Sequence, residues 1–513
     1  MNDIVTTRQG AVRGLRRDDG TAAYLNIPYA APPRGAGRFA PPRPHEPWEG
    51  IRDAGVPGPN APQSERTLGG VDMSPYFGAG WSRGEDYLTV NVFTPAADAV
   101  TPAADGLPPA AAGAGRPVMV FVHGGGFVAG STRSALYDGS AFARDGVVLV
   151  TLNYRLGIAG FLDIAGAPAN RGLLDVVAAL RWVGENIAAF GGDPGNVTLF
   201  GQSAGATIVG GVLATPEAAG LFRRAIVQSG SGLGAFSTEQ AARVTRAAAE
   251  HLGIEPHVDA FADIPDERLV EAASRLAGID LRTDAHHDPL IGLSPFSLVL
   301  DTQPAESVAA GLGADIDLLI GTNTEEGNLY LVPVDKYAGS TAGDVDDTAA
   351  RAHPNPARLV ETYRKARPEA SFGELRSAIM GDALFGAGSW ALAGAHAGHP
   401  RSGTFAYEFA WRSQALNGRL GATHAVELPF VFDLARLPQL RGAGALLGPD
   451  EPPAELATRM HATWIRFAAT GNPGWDPYDT ERRPTMRIDA EWTQVDAPRS
   501  REQHAWIRPF AHT

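Results

Sequence analysis

The chain contains no cysteine. That single absence excludes disulfides, thiolate metal sites and a thiol nucleophile. Stability therefore cannot depend on an oxidising compartment. Long apolar runs are missing too, and none reaches the ~18 residues that a membrane-spanning helix requires. The opening stretch, MNDIVTTRQGAVRGLRRDDG, lacks the apolar segment of a secretory leader. A cytoplasmic location with no membrane span is the expectation. Positive charge is outnumbered: Lys plus Arg total 43 against 57 Asp plus Glu, for a net charge of −14. That balance argues against nucleic acid as a partner, because such a partner needs a basic footprint. The H-E-x-x-H pattern of zinc sites is absent, and His123 stands alone in its segment, so no metal and no cofactor is expected.

What remains is an ordinary globular composition in 513 residues, 44% hydrophobic and 19% charged, long enough to bury a large core. Apolar runs predict strands over 87–93, 117–122, 147–155, 197–200, 222–230, 317–322 and 403–411. Between them, residues 170–190 carry Leu173, Leu174, Val177, Leu180 and Val183 at the spacing of one helical face. GGDPGN, just before residue 197, reads as a turn, and the Ala-, Glu- and Arg-rich stretch 237–290 reads as helical. Strand and helix in alternation indicate an α/β chain with a mostly parallel sheet. The Ala-, Pro- and Gly-rich segment 96–116 reads as an exposed loop. No internal repeat and no strong linker appears, so residues 1–513 are expected to form a single domain.

Residues 201–205, Gly-Gln-Ser-Ala-Gly, match G-x-S-x-G. This spacing suits a sharp strand-to-helix turn that lifts a serine hydroxyl above a sheet, with glycines relieving the crowding. The preceding VTLF and the small apolar stretch after it supply that strand–turn–helix context. Alone, the motif reads equally well as a plain Gly-Ser turn. Residues 123–127, His-Gly-Gly-Gly-Phe, follow another predicted strand. Consecutive glycines let backbone N–H groups approach a developing oxyanion. The N–H groups of Gly125, Gly126 and Ala204 are the candidate donors.

With these motifs the chain resembles the type-B carboxylesterase family, the cholinesterase-like branch of the α/β-hydrolases. NIPYAAPPRGAGRFAPPRP, EDYLTVNVFTP, HGGGFVAGS, NYRLGIAGFLD, FRRAIVQSGS, IGTNTEEGNLY, GATHAVELPFVF and WIRFAATGNPGWDPY carry the likeness. The resemblance implies an α/β-hydrolase fold with helical insertions that form a gorge or cap. It also implies a triad. Ser203 would be the nucleophile, Glu326 of Glu325-Glu326-Gly327 the acid, and His424 of Gly421-Ala-Thr-His424 the base. The order Ser, acid, His along the chain agrees with the fold. The implied activity is hydrolysis of small carboxylic esters through an acyl-enzyme, by a monomer or small homo-oligomer. Carbamate or amide hydrolysis by the same machinery is the alternative, and a non-catalytic adhesion homologue is a third reading.

Two departures matter. Family members usually carry Glu before the serine, and this chain has Gln202; a neutral amide there predicts little attraction for cationic esters. Tyr87 stands where relatives often carry Cys, so the disulfide-closed loop of secreted members is missing, which favours the bacterial, para-nitrobenzyl-esterase-like style. For the substrate pocket, aromatic content in family pocket segments points to Phe127, Phe296 within 290–300, Phe385 and Trp411, besides Gln202. Trp81 reads either as a cation–π platform at the entrance or as a packed surface aromatic.

Overall fold

The computed structural model describes residues 3–78, 80–95 and 115–506. Valine-rich stretches buried on both faces favour interior strands, and the strands Arg116–Val122 and Val148–Leu152 are such stretches. Their side chains alternate between two cores. Val118, Val120 and Val122 join one cluster, and Met119 and Phe121 join the other, as the two-residue period of a strand dictates. The first cluster is completed by the helices Arg171–Asn186 and Ala204–Leu213, the second by Ala454–Thr470. Helices thus cover both faces of one sheet.

Among the described residues that sheet has eleven strands. From one edge the order is Thr493–Asp496, Pro484–Ile488, Thr404–Phe409, Asp317–Asn323, Arg224–Gln228, Gly192–Gln202, Arg116–Val122, Val148–Leu152, Thr89–Pro95, Thr21–Pro28 and Leu15–Arg16. The run from Pro484–Ile488 to Val148–Leu152 is parallel, and the pairs at both ends are antiparallel. A second sheet joins Ile4–Thr6, Ala11–Arg13 and Ile51–Asp53. These edge strands are short or mixed in polarity, so no apolar run announced them.

Several sequence expectations shift. The strand expected over 147–155 ends at Leu152, because Asn153, Tyr154 and Arg155 turn their side chains to loop carbonyls and to Asp175. The helix expected over 170–190 is α-helical to Asn186 and finishes as a 3-10 turn, Ile187–Phe190. In GGDPGN only Gly191, at φ 81°, makes the turn; Gly192–Asn196 already belong to a strand. Pairing there slips between Arg116 and Val118, which absorbs the extra residues as a bulge. The stretch 237–290 is helical over Thr238–Leu252, Val258–Ala262 and Asp266–Arg275, and turns follow. Of the segment expected as a loop, residues 96–114 lie outside the described residues, and Arg116 opens a strand.

A parallel sheet puts the carboxyl ends of its strands on one edge, where loops can converge. His123, Ser203, Ser229 and Glu326 all follow such ends, within a few residues of Val122, Gln202, Gln228 and Asn323.

Candidate active site

Ser203 sits between the strand Gly192–Gln202 and the helix Ala204–Leu213 at φ 58° and ψ −127°, a conformation that non-glycine residues rarely adopt. Its N–H donates to Gln228 O at 2.9 Å, and its carbonyl accepts from Thr207 N at 2.9 Å, so the turn is anchored at both ends. The glycine at 205 answers a close approach. A methyl group there would lie 2.1 Å from Val122 O.

Glu326 and His424 come from different loops and meet beside this turn. His424 Nδ1 is 2.6 Å from Glu326 Oε2, with both side chains buried. Glu326 Oε1 accepts from Ser229 Oγ at 2.5 Å and from Asn323 N at 2.7 Å. Asn323 also donates to Thr423 O, tying the acid loop to the histidine loop. Glu325 turns away, accepts from Ala422 N and pairs with Arg412. The two adjacent glutamates are thus separated by partner: one faces the imidazole, the other braces the loop. Phe385, in the π-helical turn Asp382–Gly386, stacks on the His424 ring at 4.2 Å and 8°. With the Nδ1 proton directed to Glu326, His424 Nε2 accepts from Gln202 Nε2 at 3.3 Å.

Gly125 and Gly126 take φ 120° and 62°. A side chain at 125 would meet Ala129 O at 2.1 Å, so only glycine fits this loop. Among the described residues, neither N–H donates to a backbone carbonyl. Ala204 opens its helix, so its N–H has no acceptor within the helix. His123 is fully buried, stacks on Tyr154 at 4.5 Å, and is lowered to about 4 by desolvation. It is a neutral packing residue. Among the described residues no cluster of three potential ligands could hold a metal.

Ser203, His424, Gly125, Gly126 and Ala204 line one cavity of about 230 Å³. Of the residues expected in the substrate pocket, Phe127, Gln202 and Phe385 line it. Phe296 does not: it is buried in the core behind. Trp411 packs on Phe430 at 5.0 Å, and Trp81 lies under the Arg83 guanidinium at 4.3 Å. These aromatics satisfy packing elsewhere, and residue type alone could not tell core from cavity. The expected segment 290–300 reaches the cavity through Leu290, Leu293 and Ser294, and the rest of the apolar wall comes partly from residues with no motif, among them Leu68, Met73 and Leu384. Sequence reasoning also missed Ser229, Asn323, Arg66 and Glu427. Glu427 is fully buried, accepts from Asn323 Nδ2 at 2.7 Å, and is pushed up to about 7 by burial and by the nearby Glu326. The only signal for it was an acid inside the apolar run ELPFVF.

A strained serine at the carboxyl edge of a helix-covered, mostly parallel sheet is the architecture of the α/β-hydrolases, and this chain falls in that class. The sequence profile of the carboxylesterase family matches residues 1–506, and the chain belongs to that family. It is 36% identical to a para-nitrobenzyl esterase of Bacillus subtilis (strain 168), over 98% of each chain. It is 32% identical to a phenmedipham hydrolase of Pseudarthrobacter oxydans, over 98% of this chain and 99% of that one. A crystal structure of a Geobacillus stearothermophilus carboxylesterase superposes with a TM-score of 0.82 at 35% identity, covering 98% of this chain and 100% of that one. The protein is a carboxylic ester hydrolase.

Proposed function

We propose that Ser203, His424 and Glu326 form the catalytic triad of a serine esterase. The observation that carries this is the 2.6 Å contact of His424 Nδ1 with Glu326 Oε2, made on the wall of the cavity that Ser203 lines. Glu326 fixes the tautomer, which leaves Nε2 as the base. His424 takes the Ser203 proton as Oγ attacks the ester carbonyl. The N–H groups of Gly125, Gly126 and Ala204 receive the oxyanion. The imidazolium then protonates the departing alkoxide, leaving an acyl-enzyme and free alcohol. Water, deprotonated by His424, attacks the acyl carbon and releases the acid. No metal or cofactor takes part in any step.

Small aliphatic and aryl esters fit a cavity with this apolar wall. Labelling by a fluorophosphonate probe is expected in the wild type and lost in Ser203→Ala, with kcat falling by at least about 10³-fold. Retained labelling in that variant would remove Ser203 from the mechanism. Aryl carbamates run beside p-nitrophenyl esters rank the two leaving-group classes. No described helix is long and apolar enough to cross a membrane. A cytoplasmic monomer or small oligomer, with residues 1–513 as one domain, completes this reading, and cell fractionation with light scattering tests it.

A further inference from the structure

The cavity wall has an unusual charge inventory. Among the residues that line it are one guanidinium, Arg66, one imidazole, His424, and no carboxylate. Glu326 lies behind the imidazole. At the position before the nucleophile stands the neutral Gln202. Any ligand that reaches Ser203 therefore meets a fixed positive charge that no lining acid cancels.

Arg66 is built into this place. Three residues earlier, Gln63 Oε1 accepts from Gly130 N at 2.9 Å, and Gln63 Nε2 donates to Gly130 O at 3.0 Å. This two-point clamp holds the segment that carries Arg66 against the loop that carries Gly125 and Gly126. A methyl group added at Gly126 would lie 3.3 Å from Arg66 Nη1. The guanidinium is thus beside one of the candidate oxyanion donors. Among the described residues it makes no hydrogen bond and no ion pair. Asp266, which lines the neighbouring cavity with Arg66, pairs instead with Arg38 at 2.9 Å. The side chain is exposed and open to the cavity. A guanidinium stays charged in proteins. Facing the cavity without a lining carboxylate, it has an anionic ligand with two oxygens as its natural complement.

We infer that the preferred substrates are esters that carry a second, ionised acid group, such as the half-esters of dicarboxylic acids, with Arg66 binding that anion. This rests on the triad reading and names its substrate class. Arg66 also borders a second cavity of about 350 Å³, which shares Thr67 and Leu293 with the first. Glu65 and Asp266 also line that second cavity, so the anion is expected at Arg66 and not beyond it.

The test compares monoethyl glutarate with the uncharged ethyl pentanoate by pH-stat, in wild type, Arg66→Gln and Arg66→Glu. The ratio of kcat/KM for the anionic over the neutral ester is expected to exceed one in the wild type. It is expected to fall at least tenfold in Arg66→Gln, mainly through KM, and further in Arg66→Glu. Added salt should lower the wild-type ratio and leave the Arg66→Gln ratio nearly flat. An unchanged ratio in both variants overturns the inference. So does an equal loss on both esters, which would place Arg66 at the reaction centre. Calorimetric binding of monoethyl glutarate to Ser203→Ala, with and without Arg66→Gln, keeps the question separate from the triad. Anion binding that depends on Arg66 stands even if another group proves to be the nucleophile.

Discussion

Glu427 shows how one buried carboxyl can hold a proton near neutral pH. Its side chain is fully enclosed, Glu326 is close, and amides of Asn323 and Gln228 donate to it at 2.7 and 3.3 Å. Burial and the second carboxylate outweigh those donors and push it from 4.5 up to about 7. The consequence for stability has a definite sign. Between about pH 4.5 and 7 the folded chain keeps a proton that the unfolded chain has released, so stability from this group is full below pH 4.5 and falls as pH rises through 7. Glu427→Gln keeps the shape and cannot ionise. The variant is expected to gain on the wild type by about 3 kcal/mol as pH rises across that window. Thermal unfolding midpoints at pH 4.5, 6 and 8 check this; a constant gap between the two proteins contradicts it.

The helix Ala204–Leu213 follows the nucleophile and contains glycines with opposite reasons for being there. Gly205 sits where the helix start crosses the end of the strand Arg116–Val122, and a methyl group would stand 2.1 Å from Val122 O and 2.6 Å from His123 O. Backbone on both sides cannot move without displacing Ser203 or the glycine loop. Gly210 faces Leu392, whose nearest atom would be 3.7 Å from an added methyl, an ordinary contact. Glycine costs a helix interior about 1 kcal/mol relative to alanine. Gly210→Ala is therefore expected to raise stability by about 0.5–1 kcal/mol with activity retained. Gly205→Ala is expected to cost about 3 kcal/mol or more, with esterase activity abolished. Denaturant midpoints and p-nitrophenyl butyrate turnover of the two variants decide the matter, and similar behaviour would undo the packing argument.

Across the whole molecule, one buried ion pair ties the loops around the site to the sheet. Arg155 Nε and Nη2 donate to Asp175 at 2.9 and 2.8 Å, with both side chains fully buried. Arg155 Nη1 also reaches the carbonyls of Arg38 and Ala40 at 3.1 and 2.6 Å, so one guanidinium joins the amino-terminal segment, the strand end and the helix Arg171–Asn186. Arg171, in the same helix, donates to the carbonyls of Ile158, Ala159, Leu162 and Pro168. Breaking a buried pair strands the partner's charge. Asp175→Ala is expected to lose about 3–5 kcal/mol, seen as a lower urea midpoint. A loss within about 0.5 kcal/mol, the range of surface changes, would refute the role given to the pair.

Much of this protein could be read from its residues in order. The absence of cysteine, the strand–helix alternation, the glycine loop and the strand–turn–helix around Ser203 depend on contacts within a few residues, and such contacts leave periodic or steric traces in sequence. His424 and Glu326 were legible only through likeness to a family, because across a sequence separation of 98 no pattern says that they meet. Tertiary structure alone decided which large apolar residues face empty space. Phe385 covers an imidazole while Phe296 fills the core, and both are phenylalanines in apolar surroundings. It alone decided the short edge strands, whose stability comes from a neighbour supplied by a distant part of the chain. It also decided the charge of the cavity. Arg66 is an exposed-type residue in a polar loop by sequence, and only the clamp of Gln63 on Gly130 brings it beside Gly126. Local order sets which groups exist, and long-range packing sets which of them come to face one cavity.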